Sequence, residues 1–198
     1  MRVLVFGGSF NPVHVGHLMM AEEIREEFGY ERVLFVPAAR SPFKDGSGDP
    51  GQEHRLAMLE LAVAGNPGFA IDARELGRGG KSFTIETIRS MVAEGLIDER
   101  PGMLVGDDLV SGLPLWRKFD LLRQETDIIV GRRSGTGEDG GRVGPESGEA
   151  RYLRASNRIV PLSSSDIRGL IASRRSIRYL VPDAVRNYIV ERHLYESR

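Results

Sequence analysis

Several features that mark particular classes of protein are missing from this chain. It has no cysteine among its 198 residues, which excludes disulfide bonds and thiolate chemistry. No apolar run approaches the roughly 20 residues that a membrane-spanning helix needs, and Met1-Arg2 leads directly into an apolar strand pattern rather than a signal peptide. The formal net charge of -1 argues against a broad basic surface for nucleic acid. We therefore expect a cytoplasmic protein that binds neither membranes nor nucleic acids.

The composition and periodicity that are present belong to an α/β protein. Hydrophobic residues make up 40% of the chain and charged residues 28%, and 198 residues are enough for one domain with its own core. Apolar runs alternate with stretches of helical spacing, which predicts a single doubly wound, Rossmann-like domain with a parallel sheet over residues 1–198. Polar residues follow the runs at Gly7, Pro37, Gly106, Gly131 and Ser163. The predicted strands cover residues 3–6, 32–37, 69–72, 102–106, 127–131 and 158–162.

Local signals predict where two of the helices start. Asp49, followed by proline, suits the N-cap of the helix after the second strand. His54 and Arg55, in the first turn of that helix, are interpreted as surface residues rather than catalytic ones. Ser82 or Thr84 suits the cap of the helix that follows a glycine-rich loop.

The last third of the chain contains one segment with almost nothing to bury. Residues 134–149 are rich in Gly, Glu and Asp, and we interpret them as a flexible excursion because strand signals resume after them. The segment 165–198 is predicted to be helical, and its last helix is predicted over 179–195.

The most informative stretch is residues 3–28, where a strand, a glycine turn, two histidines and a helix follow one another. Gly7-Gly8 end the apolar run, and the absence of a Cβ there lets backbone approach another group closely. His14 and His17 stand at the start of the helix, whose free N–H groups and positive dipole end attract phosphate. Imidazoles at this position can stabilise the charge that develops when a phosphate is attacked. The order of these features predicts a phosphate site rather than a glycine turn with two surface histidines.

A second helix start carries three hydroxyl groups, at Ser163, Ser164 and Ser165. Such hydroxyls can cap the helix and can also contact phosphate. Arg168 follows within the first turn, where its guanidinium could clamp a polyphosphate.

Other polar residues follow the remaining strands. Asp107 and Asp108 can bind a ribose hydroxyl or Mg²⁺, cap a helix, or do both. Lys44 could reach a phosphate or be an ordinary solvated lysine, and Trp116 could belong to the core or offer an aromatic face to a base or pyridine ring. Because the carboxyl ends of parallel strands share one edge of the sheet, we expect one composite site there.

Residues 8–17, Gly-Ser-Phe-Asn-Pro-Val-His-Val-Gly-His, resemble the signature Gly-x-Phe-x-Pro-x-His-x-Gly-His of the nucleotidylyltransferase superfamily. Class I aminoacyl-tRNA synthetases share a similar His-x-Gly-His, but the chain is short for one and has no Lys-Met-Ser-Lys-like segment. Along nearly its whole length the chain resembles the bacterial nicotinate mononucleotide adenylyltransferase family. This resemblance is carried by residues 53–59, 81–87, 106–108, 116, 163–168 and 177–182.

The resemblance implies that ATP and nicotinate mononucleotide give deamido-NAD (nicotinate adenine dinucleotide) and pyrophosphate. The mononucleotide phosphate would attack the α-phosphate of ATP directly, without a covalent enzyme intermediate. The implied catalytic residues are His14, His17, Lys44 and Arg168. The implied ATP-binding residues are Gly7, Gly8, Ser9, Phe10, His14, His17, Gly106, Asp108, Ser163, Ser164, Ser165 and Arg168.

The same resemblance implies where the second substrate binds. Thr84 would offer backbone contacts to the nicotinate carboxylate, Trp116 would stack on the pyridine ring, and Arg133, or Arg132 in its place, would lie near the nucleotide. The implied mononucleotide-binding residues are Ser9, Lys44, Ser82, Phe83, Thr84, Trp116 and Arg133. Mg²⁺ would accompany ATP rather than occupy a cage made by the protein, so no metal-ligating residue is assigned.

Two alternatives stay open at this point. The acceptor could be nicotinamide mononucleotide or pantetheine phosphate, or the chain could be a nucleotide-binding module without turnover. A dehydrogenase is disfavoured because no Gly-x-Gly-x-x-Gly follows the first strand. Formation of a homo-oligomer also stays open.

Overall fold

The centre of the protein is a six-stranded parallel sheet in the order β3-β2-β1-β4-β5-β6. A computed structural model describes residues 1–39, 48–78, 83–133 and 152–196. The strands are β1 (Val3–Gly8), β2 (Arg32–Pro37), β3 (Phe69–Ile71), β4 (Gly102–Gly106), β5 (Asp127–Gly131) and β6 (Leu153–Arg154). The helices are α1 (Val15–Glu27), α2 (Gln52–Val63), α3 (Arg74–Arg78), α4 (Thr84–Ala93), α5 (Phe119–Glu125), α6 (Ser164–Ala172), α7 (Asp183–Glu191) and a 3₁₀-helix (Asp107–Leu115).

Each face of the sheet packs on its own hydrophobic layer. Along β1, Leu4 and Phe6 belong to one layer and Val3 and Val5 to the other, as the alternation of side chains along a strand requires. The first layer includes buried residues of α1, α2, α6 and α7, and the second includes those of α4 and α5. The predicted doubly wound, Rossmann-like architecture is therefore confirmed.

The sequence patterns place the central strands and the first helix accurately. The bounds of β2, β4 and β5 are those predicted, and β1 extends through Gly8. α1 buries Ala21 and Ile24 toward the sheet. It ends just before Gly29, whose φ of 66° is the left-handed conformation that glycine adopts most easily.

The predicted strand at residues 158–162 is wrong. The last strand lies earlier, at Leu153–Arg154, and the structure assigns no strand to 158–162. The side chain of Asn157 replaces further ladder pairing, because its Oδ1 accepts a hydrogen bond from Arg132 N at 2.8 Å while its Nδ2 donates to Arg132 O at 3.0 Å. A side chain that occupies both backbone groups of Arg132 ends the ladder with β5.

Two predicted helix caps are also wrong. The N-cap of α2 is Gly51 rather than Asp49, because the Asp49 carboxylate instead accepts a hydrogen bond from Gly51 N at 2.9 Å. The N-cap of α4 is Phe83, so Thr84 is the first helical residue and does not cap it. Ser82, the other candidate, lies outside the described residues.

The C-terminal part is helical only in two pieces. α7 begins at Asp183, not at 179, because Tyr179 has a φ of 67° and Pro182 takes the N-cap with an extended ψ of 146°. The helix ends at Glu191, before His193, whose φ is 50°. Residues 134–149 lie outside the described residues. No helix in the described ranges is long and apolar enough to cross a membrane.

Candidate active site

The loop after β1 is shaped by an aromatic ring beneath it. Phe10 is 2% exposed and contacts the rings of Phe6 and His17, with centroids 5.5 and 5.3 Å away. A β-carbon at Gly8 would lie 2.9 Å from the Phe10 ring, which explains why glycine is needed there. Gly7 is exposed and has open space where a β-carbon would be. The Phe10 ring lies in the core, so this loop presents backbone and Ser9 to the edge of the sheet.

His14 and His17 stack on each other at the N-terminus of α1. Their ring centroids are 3.7 Å apart, and His17 Nδ1 accepts a hydrogen bond from the His14 amide at 3.3 Å. His14 is the N-cap and is 1% exposed, and neither of its ring nitrogens has a hydrogen-bond partner among the described residues. Burial, reinforced by the positive charge of Arg133, lowers the pKa of His14 to about 3. The imidazole of His14 is therefore neutral at physiological pH.

α6 brings its own N-terminus toward the same loop. Ser163 is the N-cap, and its hydroxyl accepts a hydrogen bond from Asp166 N at 3.1 Å. The Asp166 carboxylate accepts in return from the amide and the hydroxyl of Ser163, at 2.9 and 2.6 Å, and these bonds lower the pKa of Asp166. Ser164 Oγ donates to Pro12 O at 2.9 Å, which joins α6 to the loop before His14.

Arg168 and the C-terminal Tyr195 converge on Asn11, in the middle of that loop. Arg168 donates to Asn11 O at 2.8 Å and to Ser165 Oγ at 3.1 Å. The Tyr195 hydroxyl donates to Asn11 Oδ1 at 2.6 Å, and burial raises the pKa of Tyr195. The Asn11 side chain also donates to Gly48 O at 3.4 Å. These contacts fix the loop from three directions.

Two residues predicted to serve different substrates form an ion pair. Arg133 Nη1 lies 3.1 Å from Asp108 Oδ2, and the Arg133 amide donates to Asp107 Oδ1 at 3.1 Å. Both side chains are partly exposed, at 30% for Arg133 and 43% for Asp108. A β-carbon at Gly106 would overlap both of them, so this glycine is required by the pair. The positive charge of Arg133 also contributes to the lowered pKa of His14.

Three of the residues predicted to bind the mononucleotide, Phe83, Thr84 and Trp116, belong to segments at or beside the start of α4. The Arg117 guanidinium lies over the Phe83 ring, 4.4 Å from its centroid, so the segment that carries Trp116 contacts the N-cap of α4. Trp116 is half-buried and packs against the second hydrophobic layer. Thr84 is the first residue of α4, whose N-cap makes no side-chain hydrogen bond to the helix.

The structure thus gathers most of the predicted residues along the carboxyl edge of the sheet. Lys44 and Ser82 lie outside the described residues. Within the described ranges, no group of three or more His, Asp or Glu residues is arranged to hold a metal ion.

Sequence reasoning missed the importance of Arg55, which was interpreted as a surface residue and is 1% exposed. The signal was available, because Arg55 lies three and four residues before the buried Met58 and Leu59 and so falls on the buried side of α2. The roles of Asn11 and Tyr195 gave no comparable signal, since 184 residues separate them.

Comparison with known proteins shows which family this chain belongs to. The model of the cytidylyltransferase-like family matches residues 5–170. A Treponema pallidum protein named "Probable nicotinate-nucleotide adenylyltransferase" is 38% identical, over 100% of both chains. The chain belongs to the nicotinate-nucleotide adenylyltransferase family.

Another relative is similarly close, and a more distant protein of known structure has a similar fold. The Symbiobacterium thermophilum relative of the same name is 40% identical over 98% of this chain and 95% of its own. A solved structure of Plasmodium falciparum nicotinic acid mononucleotide adenylyltransferase complexed with NaAD has a TM-score of 0.76. It is 18% identical, over 98% of this chain and 97% of its own. At that identity the likeness of the two structures concerns the fold.

Proposed function

We propose that this protein transfers the adenylyl group of ATP to nicotinate mononucleotide in NAD biosynthesis. The observation that carries the proposal is the meeting of the stacked histidines at the start of α1 with the serine-capped start of α6, through Ser164 and Pro12. Two helix N-termini directed to one loop provide a site for several phosphate groups. Membership of the nicotinate-nucleotide adenylyltransferase family supports the choice of substrates.

In the proposed reaction a phosphate oxygen of the mononucleotide attacks the α-phosphorus of ATP. The new P–O bond forms as the bond between the α-phosphorus and its bridging oxygen to the β-phosphate breaks, and pyrophosphate leaves. The protein supplies no nucleophile, so its contribution is positioning and charge stabilisation. His14 and His17 donate hydrogen bonds from neutral or transiently charged imidazoles to the reacting phosphate, and Arg168 holds the pyrophosphate portion.

The Asp108–Arg133 pair lies between the regions assigned to the two substrates. Asp108 holds the ribose of the adenosine, and Arg133 approaches the nicotinate nucleotide. Each charge keeps the other in place before substrates bind, since the two side chains are 3.1 Å apart. At the start of α4, backbone amides meet the nicotinate carboxylate while Trp116 covers the pyridine ring.

Mg²⁺ fits this site as an ion carried by ATP. The groups around the loop are hydrogen-bond donors, and the nearby carboxylates are engaged, Asp108 by Arg133 and Asp166 by Ser163. The phosphate oxygens of ATP would therefore provide most of the coordination. When bound, the ion neutralises negative charge on the phosphates. Residence in the cytoplasm and assembly into a homo-oligomer stay predictions.

The direct test is pyrophosphate release from ATP and Mg²⁺ with three acceptors in parallel: nicotinate mononucleotide, nicotinamide mononucleotide and pantetheine phosphate. We expect a strong preference for the nicotinate compound. Preference for another acceptor would overturn the substrate assignment and keep the adenylyl transfer. Absence of release with all three would favour a nucleotide-binding module.

A further inference from the structure

Arg55 is a buried charged residue that the proposed mechanism does not use. It is the fourth residue of α2, and its side chain is 2% exposed. An arginine keeps its positive charge in proteins, so burying it is costly unless each donor finds a partner. The partners that it has therefore indicate what it does.

Three of these partners are backbone carbonyl groups at the carboxyl ends of two neighbouring strands. Nη1 of Arg55 donates to Ser9 O and to Ala38 O, both at 2.8 Å, and Nη2 donates to Ala39 O at 3.1 Å. Nε lies 3.2 Å from Oδ1 of Asp49, which is an ion pair but not a hydrogen bond. The planar guanidinium therefore contacts three segments: the loop after β1, the end of β2 and Asp49. The Asp49 carboxylate in turn accepts a hydrogen bond from Gly51 N, just before α2.

These carbonyl groups belong to the part of the site where β1 and β2 separate. The last backbone hydrogen bond between the two segments runs from Ala38 N to Gly8 O, at 2.9 Å. Beyond it, the guanidinium of Arg55 connects Ser9 to Ala38 and Ala39. Its fork of fixed donors can satisfy carbonyl groups on two segments at once, whereas a lysine ammonium is a compact point donor on a flexible stem.

We propose that Arg55 is a positioning residue for the adenylyl transfer. It holds the Ser9 loop at a fixed distance from the end of β2 and acts through backbone carbonyls without touching substrate. This inference rests on the proposed function, in which Ser9 lies where both substrates meet. Loss of the fork lets Ser9 and Ala38 move apart, so the mononucleotide is bound less well in the geometry for attack.

The test uses Arg55→Lys, which keeps the charge and removes the fork. We expect kcat/KM for nicotinate mononucleotide to fall at least tenfold, and the KM of ATP to change less than the KM of the mononucleotide. Hydrogen exchange should accelerate in peptides that cover residues 6–12 and 33–39. Unchanged kinetics or unchanged exchange in these peptides would overturn the proposal.

The matched control is Arg25→Lys, at the opposite end of the sheet. Arg25 bonds to Glu22 at 2.7 Å and to Tyr30 O at 3.4 Å, so it also joins a carboxylate and a carbonyl. We expect this variant to lose stability but to keep kcat/KM within about twofold. If both variants lose the same kcat/KM, Arg55 is a residue of stability alone and the positioning role is wrong.

The buried lysine of Arg55→Lys could prevent folding, so a second variant, Asp49→Asn, tests the proposal with Arg55 retained. It removes the ion pair at 3.2 Å and leaves the three carbonyl contacts. We expect a rise of a few fold in the KM of the mononucleotide, smaller than for Arg55→Lys, and an equal or larger rise for ATP would contradict the proposal. The exchange measurement needs no turnover, so it distinguishes failure of this inference from failure of the proposed function.

Discussion

Two helices begin at the candidate active site, and their N-termini are built differently. The start of α6 satisfies itself, because Ser163 and Asp166 exchange hydrogen bonds between side chains and backbone. At the start of α1 the His17 side chain likewise accepts from the amide of the N-cap His14, but at 3.3 Å, and the first helical amide, that of Val15, donates to the distant Leu180 O at 3.0 Å. The start of α6 is stabilised by its own residues, whereas the start of α1 also depends on Leu180, 165 residues further along the chain.

This difference indicates that the residues at the start of α6 stabilise the fold, whereas those at the start of α1 can bind a ligand. A buried polar group without a hydrogen bond costs stability, and both ring nitrogens of His14 are in that state among the described residues. Such groups are retained where a ligand provides the missing partner. We therefore expect substitutions at α1 to reduce turnover and substitutions at the α6 cap to reduce stability.

The largest expected effect follows from His17→Asn. Loss of the imidazole removes a donor to the reacting phosphate, so kcat should fall by about 10² to 10³-fold. The change in thermal midpoint should be small, since the asparagine retains an acceptor for the His14 amide. His193→Asn is the control, because His193 has a side chain 77% exposed. An unchanged rate in His17→Asn would remove this histidine from the mechanism.

A pH measurement tests whether His14 is held neutral. Its pKa is about 3 in the folded protein and near 6.5 when unfolded, so between these values only the unfolded chain binds the proton. The contribution of neutral His14 to the free energy of unfolding is therefore complete above pH 6.5 and decreases as the pH falls. Between pH 7 and 5 the wild type should lose about 2 kcal/mol of unfolding free energy more than His14→Gln. Equal losses in denaturant titrations would contradict the neutral assignment.

α4 is the third helix in this comparison, and its N-cap makes no side-chain hydrogen bond. If its start receives the nicotinate carboxylate, Trp116 is the ring that we propose to cover the pyridine. Trp116→Ala should raise the KM of nicotinate mononucleotide at least fivefold, since base stacking on an aromatic ring contributes about 1–3 kcal/mol. The KM of ATP should change less. Equal effects on both substrates would give Trp116 a packing role only.

The smallest effect is expected from Ser163→Ala at the self-capped helix. Loss of an N-cap serine costs about 1 kcal/mol, which lowers the thermal midpoint by about 2–4 °C in a domain of this size. The kcat should fall less than tenfold. Ser156→Ala, at an exposed position, is the control for the substitution itself. A loss of turnover as large as that of His17→Asn would show that the two helix starts do not differ in the way we describe.

The parts of the fold that follow local periodicity could be predicted from the sequence. The strands at 32–37, 102–106 and 127–131 are buried apolar runs with polar residues at their ends, and nothing competes with that pattern. The run at 158–162 looks similar but forms no strand, because Asn157 takes the backbone groups of Arg132 with its side chain. Competition of this kind depends on which residue reaches the sheet edge, and periodicity carries no information about it.

The candidate site divides in the same way. His14 and His17 are three residues apart, so their proximity could be predicted from sequence. The contacts of Arg55 with Ser9, 46 residues away, arise only from the packing of α2 against the ends of β1 and β2. The spacing of Arg55 to Met58 and Leu59 predicts a buried position on α2. Its charge instead favoured the interpretation as a surface residue, which is wrong.

The hydrogen bond from Tyr195 to Asn11 has a consequence for how the protein is made. Asn11 leaves the ribosome before its partner, which follows 184 residues later. The sheet can begin to form during synthesis, but the loop that precedes the histidines lacks this last tether until Tyr195 has been added. The loop therefore receives this tether only after Tyr195 has been synthesised, and an affinity tag joined after Arg198 would begin three residues from Tyr195 in the sequence.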